Sequence, residues 1–202
     1  MPAIMSTPRQ ATLHRVTSET DIAVTLDLDG SGQADIDTGI GFFDHMLTAL
    51  AKHGLLDLTV KVRGDLYIDG HHTVEDTGIA IGQALRQALG DKRGVRRFGH
   101  ALVPLDEALC EAVVDLSGRP FLTFNATFDR DRIGELDTEL VEEFFRAFAM
   151  SGMVTLHLNQ KDGKNCHHIA EAAFKALARA LRMAIEPDPR AQGAIPSTKG
   201  VL

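Results

Sequence analysis

The sequence carries one short motif twice, HHTVE at residues 71–75 and HHIAE at residues 167–171. Each copy opens a run of apolar residues at helical spacing, which predicts the first turn of an α-helix. In a helix the first histidine and the glutamate share one face at i, i+4, whereas the two histidines point about 100° apart. Histidines splayed in this way are better placed to reach two ions than to chelate one. The repeat therefore predicts two similar halves and a site that holds more than one metal ion.

One HHxxE motif alone is equally compatible with a polar helix start, because a glutamate is favourable near the positive end of the helix dipole. The second copy argues against this alternative, because helix starts do not require paired histidines. The two pairs also contain four of the nine histidines in the chain. Imidazole nitrogen and carboxylate oxygen together suit a divalent ion such as Mn, Fe, Co or Zn. We therefore interpret the motifs as metal ligands.

The elements around the two motifs follow the same order. The first half is predicted to contain strands at about 12–16, 22–28 and 34–37, a helix at 41–52, a strand at 56–63 and a helix at 71–89. The second half is predicted to contain strands at about 99–105, 112–116 and 121–128, a helix at 138–149, a strand at 152–159 and a helix at 166–184. A constant spacing between the halves matches Thr59-Val60 with Thr155-Leu156. Each half is thus β-β-β-α-β-α.

This order predicts an α+β fold in which each half has a mostly antiparallel sheet with two helices on one face, and the two helix layers pack together. We predict a single domain over residues 1–202, with a first repeat at about 9–92, a second at about 93–186 and a C-terminal tail at 187–202. The prolines and glycines of the tail exclude a helix. The tail is therefore either a disordered end or an arm laid over a site.

Composition excludes several classes of protein. The net charge of −7 argues against a nucleic-acid-binding protein, which carries a basic face, and the chain has no Trp and one Tyr for base stacking. No apolar run is long enough to cross a bilayer, and the first ten residues lack the features of a secretion signal. With only two cysteines, Cys110 and Cys166, we expect no disulfide framework and a cytoplasmic location. Cys166 is either a small residue at the helix start or an additional metal ligand.

Several residues outside the motifs also carry chemistry. His45, in the segment FFDHML, lies near the start of a predicted helix, where a lone histidine is usually packed or exposed; the second-half segment VEEFF offers the carboxylate of Glu143 near the matching place. Single cations and hydroxyls are commonplace on surfaces, but several together can hold a phosphate through charge-assisted hydrogen bonds. The candidates for this task are Arg97, Arg119, Lys175, Ser197 and Lys199.

Six segments of the chain resemble the imidazoleglycerol-phosphate dehydratase family. They are FFDHML at 42–47, DGHHTVEDTGIAIGQAL at 69–85, RFGHALVPLDEAL at 97–109, VDLSGRP at 114–120, HHIAEAAFKALARALR at 167–182 and IPSTKGVL at 195–202. The resemblance implies a hydro-lyase of histidine biosynthesis that dehydrates imidazole glycerol phosphate to imidazole acetol phosphate. It also implies two Mn²⁺ ions per active site and a 24-mer, built from trimers, whose active sites are shared between subunits.

The resemblance also assigns roles to individual residues. The family's metal ligands fall on His45, His71, His72, Glu75, His167, His168 and Glu171. Its substrate contacts fall on Glu19, His53, Arg97, Arg119, Lys175, Ser197 and Lys199. Among these, Glu19 is expected to transfer the proton, and the phosphate cradle is expected to consist of Arg97, Arg119, Ser197 and Lys199. The tail is then an ordered arm in the assembly.

The chain departs from the family pattern at Glu143, where many relatives have histidine. A carboxylate also binds Mn²⁺, so this ligand place is taken either by Glu143 or by water.

Two other functions compete with this one. A two-metal phosphomonoester hydrolase uses the same metals and phosphate contacts, but it needs an open metal position for an attacking water and releases inorganic phosphate. A metal-storage or scaffold assembly leaves the phosphate cradle without a task, and it binds metal without turnover. Neither a nucleic acid nor a membrane is expected as a partner.

Overall fold

The structure, a computed structural model, describes residues 8–202, and its elements fall into two halves. The first half contains β1 (Gln10–Val16), β2 (Thr20–Asp27), β3 (Ala34–Asp37), α1 (Gly41–Gly54), β4 (Asp57–Gly64) and α2 (His71–Leu89). The second half contains β5 (Phe98–Leu105), β6 (Ala108–Asp115), β7 (Phe121–Asn125), β8 (Arg132–Ile133), β9 (Leu136–Asp137), α3 (Glu139–Gly152), β10 (Thr155–Asp162) and α4 (Cys166–Ile185). The predicted α+β order is confirmed. The sequence pattern misses the short β8–β9 hairpin and extends β7 too far.

Each half forms one four-stranded sheet with the same strand order. The first sheet has the order β1-β2-β4-β3, and the second has the order β5-β6-β10-β7. In both sheets two pairings are antiparallel and one edge pairing is parallel. Alternate residues of β2 and β6 are buried, because successive side chains of a strand point to opposite faces and only one face meets the helices. The mostly antiparallel sheets agree with the prediction.

The helices form two layers between the sheets. α2 packs on β1 and β2, α4 packs on β5 and β6, and the layers meet where α1 contacts α4 and α2 contacts α3. Five fully buried rings fill this contact, namely those of Phe43, Phe144, Phe145, Phe148 and Phe174. Because both halves share this core, we propose that they are two repeats of one domain. None of the helices in residues 8–202 has the length and apolar content that a membrane crossing requires.

The two halves are not related by one constant spacing. The motif helices match at 96 residues, since His71 corresponds to His167, but the match of Thr59-Val60 with Thr155-Leu156 is wrong. Thr59 lies opposite Thr25 on β2, and its structural equivalent is His157, which lies opposite Val113 on β6. The error of two residues equals the repeat of a strand, so the same faces stay buried and the shift is invisible in the hydrophobic pattern.

Differences in loop length between the two halves account for the change in residue spacing between equivalent elements. β1 and β5 begin at residues 10 and 98, α1 and α3 begin at residues 41 and 139, and β4 and β10 begin at residues 57 and 155. The spacing therefore grows from 88 to 98 across the β8–β9 hairpin, then falls to 96 because the loop before α4 is shorter than the loop before α2. At the spacing of 98, His45 on α1 matches Glu143 on α3.

α2 approaches α3 closely because glycines lie on the facing side of α2. A Cβ atom on Gly78 or Gly82 would lie 2.9 or 2.6 Å, respectively, from a carbonyl oxygen of α3. Gly78 and Gly82 follow His71 at i+7 and i+11, so they share its helix face, as does Glu75 at i+4. The close approach therefore brings the side chains of His71 and Glu75 towards the start of α3.

The tail packs along the start of the second half. The amide of Asp188 donates to the carbonyl of Gly94 at 2.7 Å, and the amide of Gly94 donates to the carbonyl of Ala194 at 2.9 Å. Arg97 donates from Nη1 to the carbonyl of Pro196 at 2.8 Å. Of the two alternatives for the tail, the structure shows an arm; its contribution to a site stays a prediction.

Candidate metal centre

The first cluster of candidate ligands joins α1 to α4. His45 lies in the first turns of α1, and His167 and Glu171 lie in the first turns of α4. The Nε2 atom of each histidine is 3.1 Å from Oε2 of Glu171, and one ligand atom from each of the three residues lies within 4.8 Å of the others. The ring of Phe42 packs edge-on against His167, with 5.0 Å between centroids. The three donors therefore converge on one point.

The carboxyl group of this cluster is ionised at neutral pH. Burial raises the pKa of Glu171, but hydrogen bonds from Lys175, His45 and His167 outweigh burial and bring the pKa to about 2. Lys175 reaches the other oxygen of Glu171 at 2.5 Å. The ammonium group therefore faces one oxygen of this carboxylate, and the two imidazole rings face the other. An anionic group held among donors in this way is suited to a divalent cation.

The second cluster joins α2 to α3. It consists of His71 and Glu75 from α2 and Glu143 from α3, whose ligand atoms also lie within 4.8 Å of one another. Nε2 of His71 is 3.8 Å from Oε2 of Glu75, and Arg146 forms an ion pair with Glu143. The structure thus brings Glu143 to the cluster, although its role as a ligand stays a prediction.

The two clusters are built from residues that occupy equivalent positions in the two halves. His71 and Glu75 match His167 and Glu171, and Glu143 matches His45 at the spacing of 98 residues. The first cluster therefore offers two imidazoles and one carboxylate, whereas the second offers one imidazole and two carboxylates. Both sets fit a first-row divalent ion, and the second set is the harder of the two, which favours Mn²⁺ over softer ions.

The second histidine of each motif does not join a cluster among residues 8–202. The planes of His71 and His72 are 87° apart, and those of His167 and His168 are 84° apart. Nδ1 of His72 lies 2.9 Å from Oδ2 of Asp65, and this bond raises the pKa of His72. His72 and His168 thus point away from the ligands beside them, as histidines that reach different ions should.

His168 is held in the same manner by a different residue. Its Nδ1 atom lies 2.7 Å from Oε2 of Glu107, and this bond raises the pKa of His168. The pKa of Glu107 falls to about 2, chiefly because its carboxylate accepts from the amide of Asn165 and then because it pairs with His168. His72 and His168, here called the outward histidines, therefore each have one ring nitrogen occupied by a carboxylate.

Glu19 lies beside His72, in the turn between β1 and β2. Contacts of two strand residues with Asp76 hold this turn against α2. Oε1 of Glu19 is 3.7 Å from Nε2 of His72. The next residue, Thr20, donates its hydroxyl to Asp76 at 2.5 Å, and Arg15 pairs with the same carboxylate at 2.6 Å. At the matching positions of the second half stand the apolar residues Val103, Ala108 and Ala172. The polar triad of Arg15, Thr20 and Asp76 thus belongs only to the half that carries Glu19.

Asp76→Ala is expected to lower the free energy of unfolding by about 2–4 kcal/mol, because it leaves Arg15 unpaired in a largely buried place. The triple variant Arg15→Val/Thr20→Ala/Asp76→Ala copies the apolar solution of the second half and should recover most of this loss. Urea unfolding of the two variants measures both effects. Equal losses for the single and the triple variant would contradict the expectation.

The two arginines that are predicted to form a phosphate cradle lie near Asp115. Arg97 donates from Nε and Nη2 to the two oxygens of Asp115 at 2.7 and 3.2 Å, and Arg119 reaches the same carboxylate at 3.9 Å. The bond from Arg97 to Pro196 brings the neighbouring Ser197 to this place, and the hydroxyl of Ser197 accepts from the amide of Lys199 at 3.2 Å. The structure thus groups the four predicted residues of the cradle.

Lys175 and His53 lie elsewhere, near the first cluster. Lys175 pairs with Glu171. Burial lowers the pKa of His53, and the positive charge of Lys175 lowers it further. The predicted substrate contacts therefore lie in three places within one chain: around Asp115, beside the first cluster, and, for Glu19, beside His72.

The sequence pattern misses the carboxylates that hold the outward histidines. Asp65 and Glu107 lie in loops, where no periodicity marks them. Asp76 directly follows the candidate ligand Glu75 and has the pattern of an ordinary helix residue. The only signal for Glu107 is its place in the segment LDEAL beside the first residues of β6.

Fold and site together define a class of protein. This class is a duplicated α+β protein with two histidine–carboxylate clusters suited to a divalent cation, each built from residues of both halves, and with a separate group of basic residues suited to phosphate. Comparison with known proteins gives the particular family.

The sequence profile of the imidazoleglycerol-phosphate dehydratase family matches residues 38–181. The chain is 74% identical, over 98% of its length and 100% of the relative, to the imidazoleglycerol-phosphate dehydratase of Gluconacetobacter diazotrophicus, and 70% identical to that of Gluconobacter oxydans over the same shares. Among solved structures, the Staphylococcus aureus enzyme has a TM-score of 0.81 and 40% identity, covering 89% of this chain and 99% of its own. The Pyrococcus furiosus enzyme, solved in complex with (S)-C348, has a TM-score of 0.81 and 38% identity, covering 94% and 100%.

The chain belongs to the imidazoleglycerol-phosphate dehydratase family. It is accordingly a hydro-lyase of histidine biosynthesis that acts on a small phosphate molecule.

Proposed function

We propose that the protein dehydrates imidazole glycerol phosphate to imidazole acetol phosphate with two Mn²⁺ ions in each active site. One observation carries the metal dependence. Two clusters, each with three ligand atoms within 4.8 Å of one another, occupy equivalent places in the two halves. Two equivalent clusters would be an unexplained coincidence in a protein that needs no metal.

Different residues of the chain would bind the two ions. His45, His167 and Glu171 would hold one ion, and His71, Glu75 and Glu143 would hold the other. His72 and His168, which join neither cluster among residues 8–202, would complete the metal sites of neighbouring copies. When bound, such ions supply a Lewis acid and a template for the substrate.

Glu19 fits the role of the proton-transfer group. The C–H bond that breaks lies beside no carbonyl. The imidazole ring of the substrate must therefore supply electrons to expel the hydroxyl group from the carbon beside it and take up electrons again when the C–H bond of the next carbon breaks. A base must accept the proton from that carbon. The side chain of Glu19 is 47% exposed, which leaves it accessible to substrate. The polar triad fixes the turn that carries Glu19, so the backbone that presents this carboxylate is in place before substrate arrives, as proton transfer requires.

We propose that more than one copy of the chain builds each site. The amide of Arg97 bonds to the carbonyl of Ala184, at the opposite end of α4 from His167. At about 1.5 Å per helical residue, about 25 Å separates the phosphate cradle from the first cluster in one chain. An extended substrate spans roughly 10 Å at about 1.5 Å per bond. The first cluster and the phosphate cradle of one chain therefore cannot bind the two ends of one substrate molecule.

The outer face of the second sheet supports self-association. It exposes four large apolar side chains on β5, β6 and β7, namely Phe98, Leu102, Val113 and Phe121. On the equivalent face of the first sheet Val16 is the one large apolar side chain that is exposed among the described residues of its strands, and side-chain bonds join His14 to Asp21 and Gln10 to Asp27. An apolar patch on only one of two equivalent faces marks a contact surface. We propose that this patch joins copies of the chain within the trimers of a 24-mer.

An assay of both possible products tests the proposed function. Metal-stripped protein is incubated with imidazole glycerol phosphate before and after addition of Mn²⁺, and imidazole acetol phosphate and inorganic phosphate are measured together. We expect the acetol product only with Mn²⁺, and no phosphate. Release of phosphate would favour a phosphomonoester hydrolase, and Mn²⁺ binding without either product would favour a storage protein.

A further inference from the structure

Two hairpin turns occupy equivalent places in the two halves, and each presents a glutamate to a histidine. In the first half Val16 pairs with Asp21 across the turn that carries Glu19. In the second half Pro104 pairs with Leu109 across the turn that carries Glu107. Both pairs are related by 88 residues, so Glu19 and Glu107 are structural equivalents.

The two glutamates nevertheless hold different positions relative to their histidines. Glu107 lies 2.7 Å from Nδ1 of His168. Glu19 lies 3.7 Å from the other ring nitrogen, Nε2, of His72. The Nδ1 atom of His72 is occupied by Asp65, at 2.9 Å.

The loops that follow β4 and β10 explain this difference. The register of β10 shifts by one residue between Gln160 and Asp162, and β4 has no such shift, so the residue that matches Asp65 is Lys164. Lys164 offers an ammonium group where the first half offers a carboxylate. The loop after β10 thus supplies no carboxylate at this position.

The turns themselves also differ in backbone conformation. Asp106, which precedes Glu107, has a φ of +48°. The first-half turn is instead closed by the hydroxyl of Thr17, which accepts from the amides of Glu19 and Thr20 at 3.1 and 3.0 Å. The different turn aims Glu107 at Nδ1 of His168 and at the loop before α4, where its other oxygen accepts from the amide of Asn165 at 2.8 Å.

We propose that Asp65 and Glu107 are positioning residues that orient His72 and His168 for metal binding, and that Asp65 thereby leaves Glu19 available for the substrate. A carboxylate at Nδ1 holds the ring proton there, so Nε2 keeps its lone pair and a fixed direction. The proposal rests on the proposed function, in which His72 and His168 complete the metal sites of neighbouring copies. In this proposal Glu107 orients the ligand His168, whereas Glu19 transfers the proton.

The test is a titration of metal-stripped full-length protein with Mn²⁺, in which electron paramagnetic resonance measures the free ion. Asp65→Ala should raise the dissociation constant of about half of the bound ions by about 10–100-fold and leave the other half unchanged. Glu107→Ala should do the same, and the double variant should weaken all of them. Asp65→Asn and Glu107→Gln keep an acceptor oxygen and should lose less.

Three controls make the outcome decisive. His72→Ala and His168→Ala set the largest effect that loss of each ligand can have. Asp35→Ala removes an exposed carboxylate that pairs with Lys61 on the outer sheet face and should not change Mn²⁺ binding. Thermal unfolding of the metal-stripped variants checks that the fold is intact; where an alanine variant is unfolded, its amide variant replaces it.

The outcomes separate the inference from the proposed function. If His72→Ala weakens Mn²⁺ binding but Asp65→Ala and Asp65→Asn do not, the inference is overturned and the metal site stands; the same holds for His168 and Glu107. If neither histidine variant changes Mn²⁺ binding, the shared metal site of the proposed function fails, and the inference fails with it.

Discussion

Glu19→Gln is expected to lower kcat by about 10²-fold or more, while Mn²⁺ content and the size of the assembly stay as in the unmodified protein. The amide keeps the shape of the side chain but cannot accept a proton, so only the proton-transfer step is lost. Glu19 belongs to neither ligand cluster, which is why bound metal should be unaffected. Steady-state kinetics with saturating Mn²⁺ and elemental analysis of the purified variant measure the two quantities.

Glu107→Gln is the matched control, because Glu107 occupies the equivalent turn of the second half. It should weaken Mn²⁺ binding but regain most of its kcat when Mn²⁺ is raised to saturation. A Glu19→Gln variant with near-normal kcat would remove Glu19 from the chemistry. If the two variants behaved alike, the division of tasks between the turns would be wrong.

The sequence predicts the fold well because its decisive signals are periodic. The helical spacing after each HHxxE motif and the alternation in the strands both report which face is buried, and this gives the two halves and their helix layers. The same periodicity conceals the true alignment of β4 with β10, because a shift of two residues preserves the buried face. The true alignment becomes visible only from the strand pairings, in which Thr59 lies opposite Thr25 and His157 lies opposite Val113.

The candidate site is predictable only where its residues lie on such patterns. His71, Glu75, His167 and Glu171 follow from the spacing within the motifs. Asp65 and Glu107 do not, because they reach the second histidines from loops whose conformation depends on tertiary contacts. The proposed metal ligands are therefore visible in sequence, whereas the carboxylates proposed to orient them are visible only in three dimensions.

The match between His45 and Glu143 shows how the two halves have diverged at the site itself. Both residues lie at the start of a helix that faces the partner half, and both join the cluster formed by the other half's motif. Each cluster therefore contains residues from both halves. This arrangement couples metal binding to the packing of the helix layers, and neither half holds a complete cluster alone.

Removal of the metal ions is expected to dissociate the assembly reversibly. In the proposed function, His72 and His168 bind ions held by clusters of neighbouring copies, so the bound ions stabilise the contacts between copies by mass action. The apolar outer face of the second sheet does not depend on metal and should keep the trimers together. Light scattering after chelation should therefore show a fall to about one eighth of the original mass, as for a 24-mer that separates into trimers.

The double variant His72→Ala/His168→Ala provides the matched control for the chelation experiment. It retains both clusters within each chain but lacks the ligands that reach other copies, so it should have the small mass even with Mn²⁺ present. Readdition of Mn²⁺ should restore the large mass of the unmodified protein and have no effect on the variant. A chelated protein that keeps its full mass would show that the ions do not join the copies. The separation of about 25 Å between the first cluster and the phosphate cradle within one chain would then require copies to be joined by other contacts, because these two groups of one chain still cannot bind the two ends of one substrate molecule.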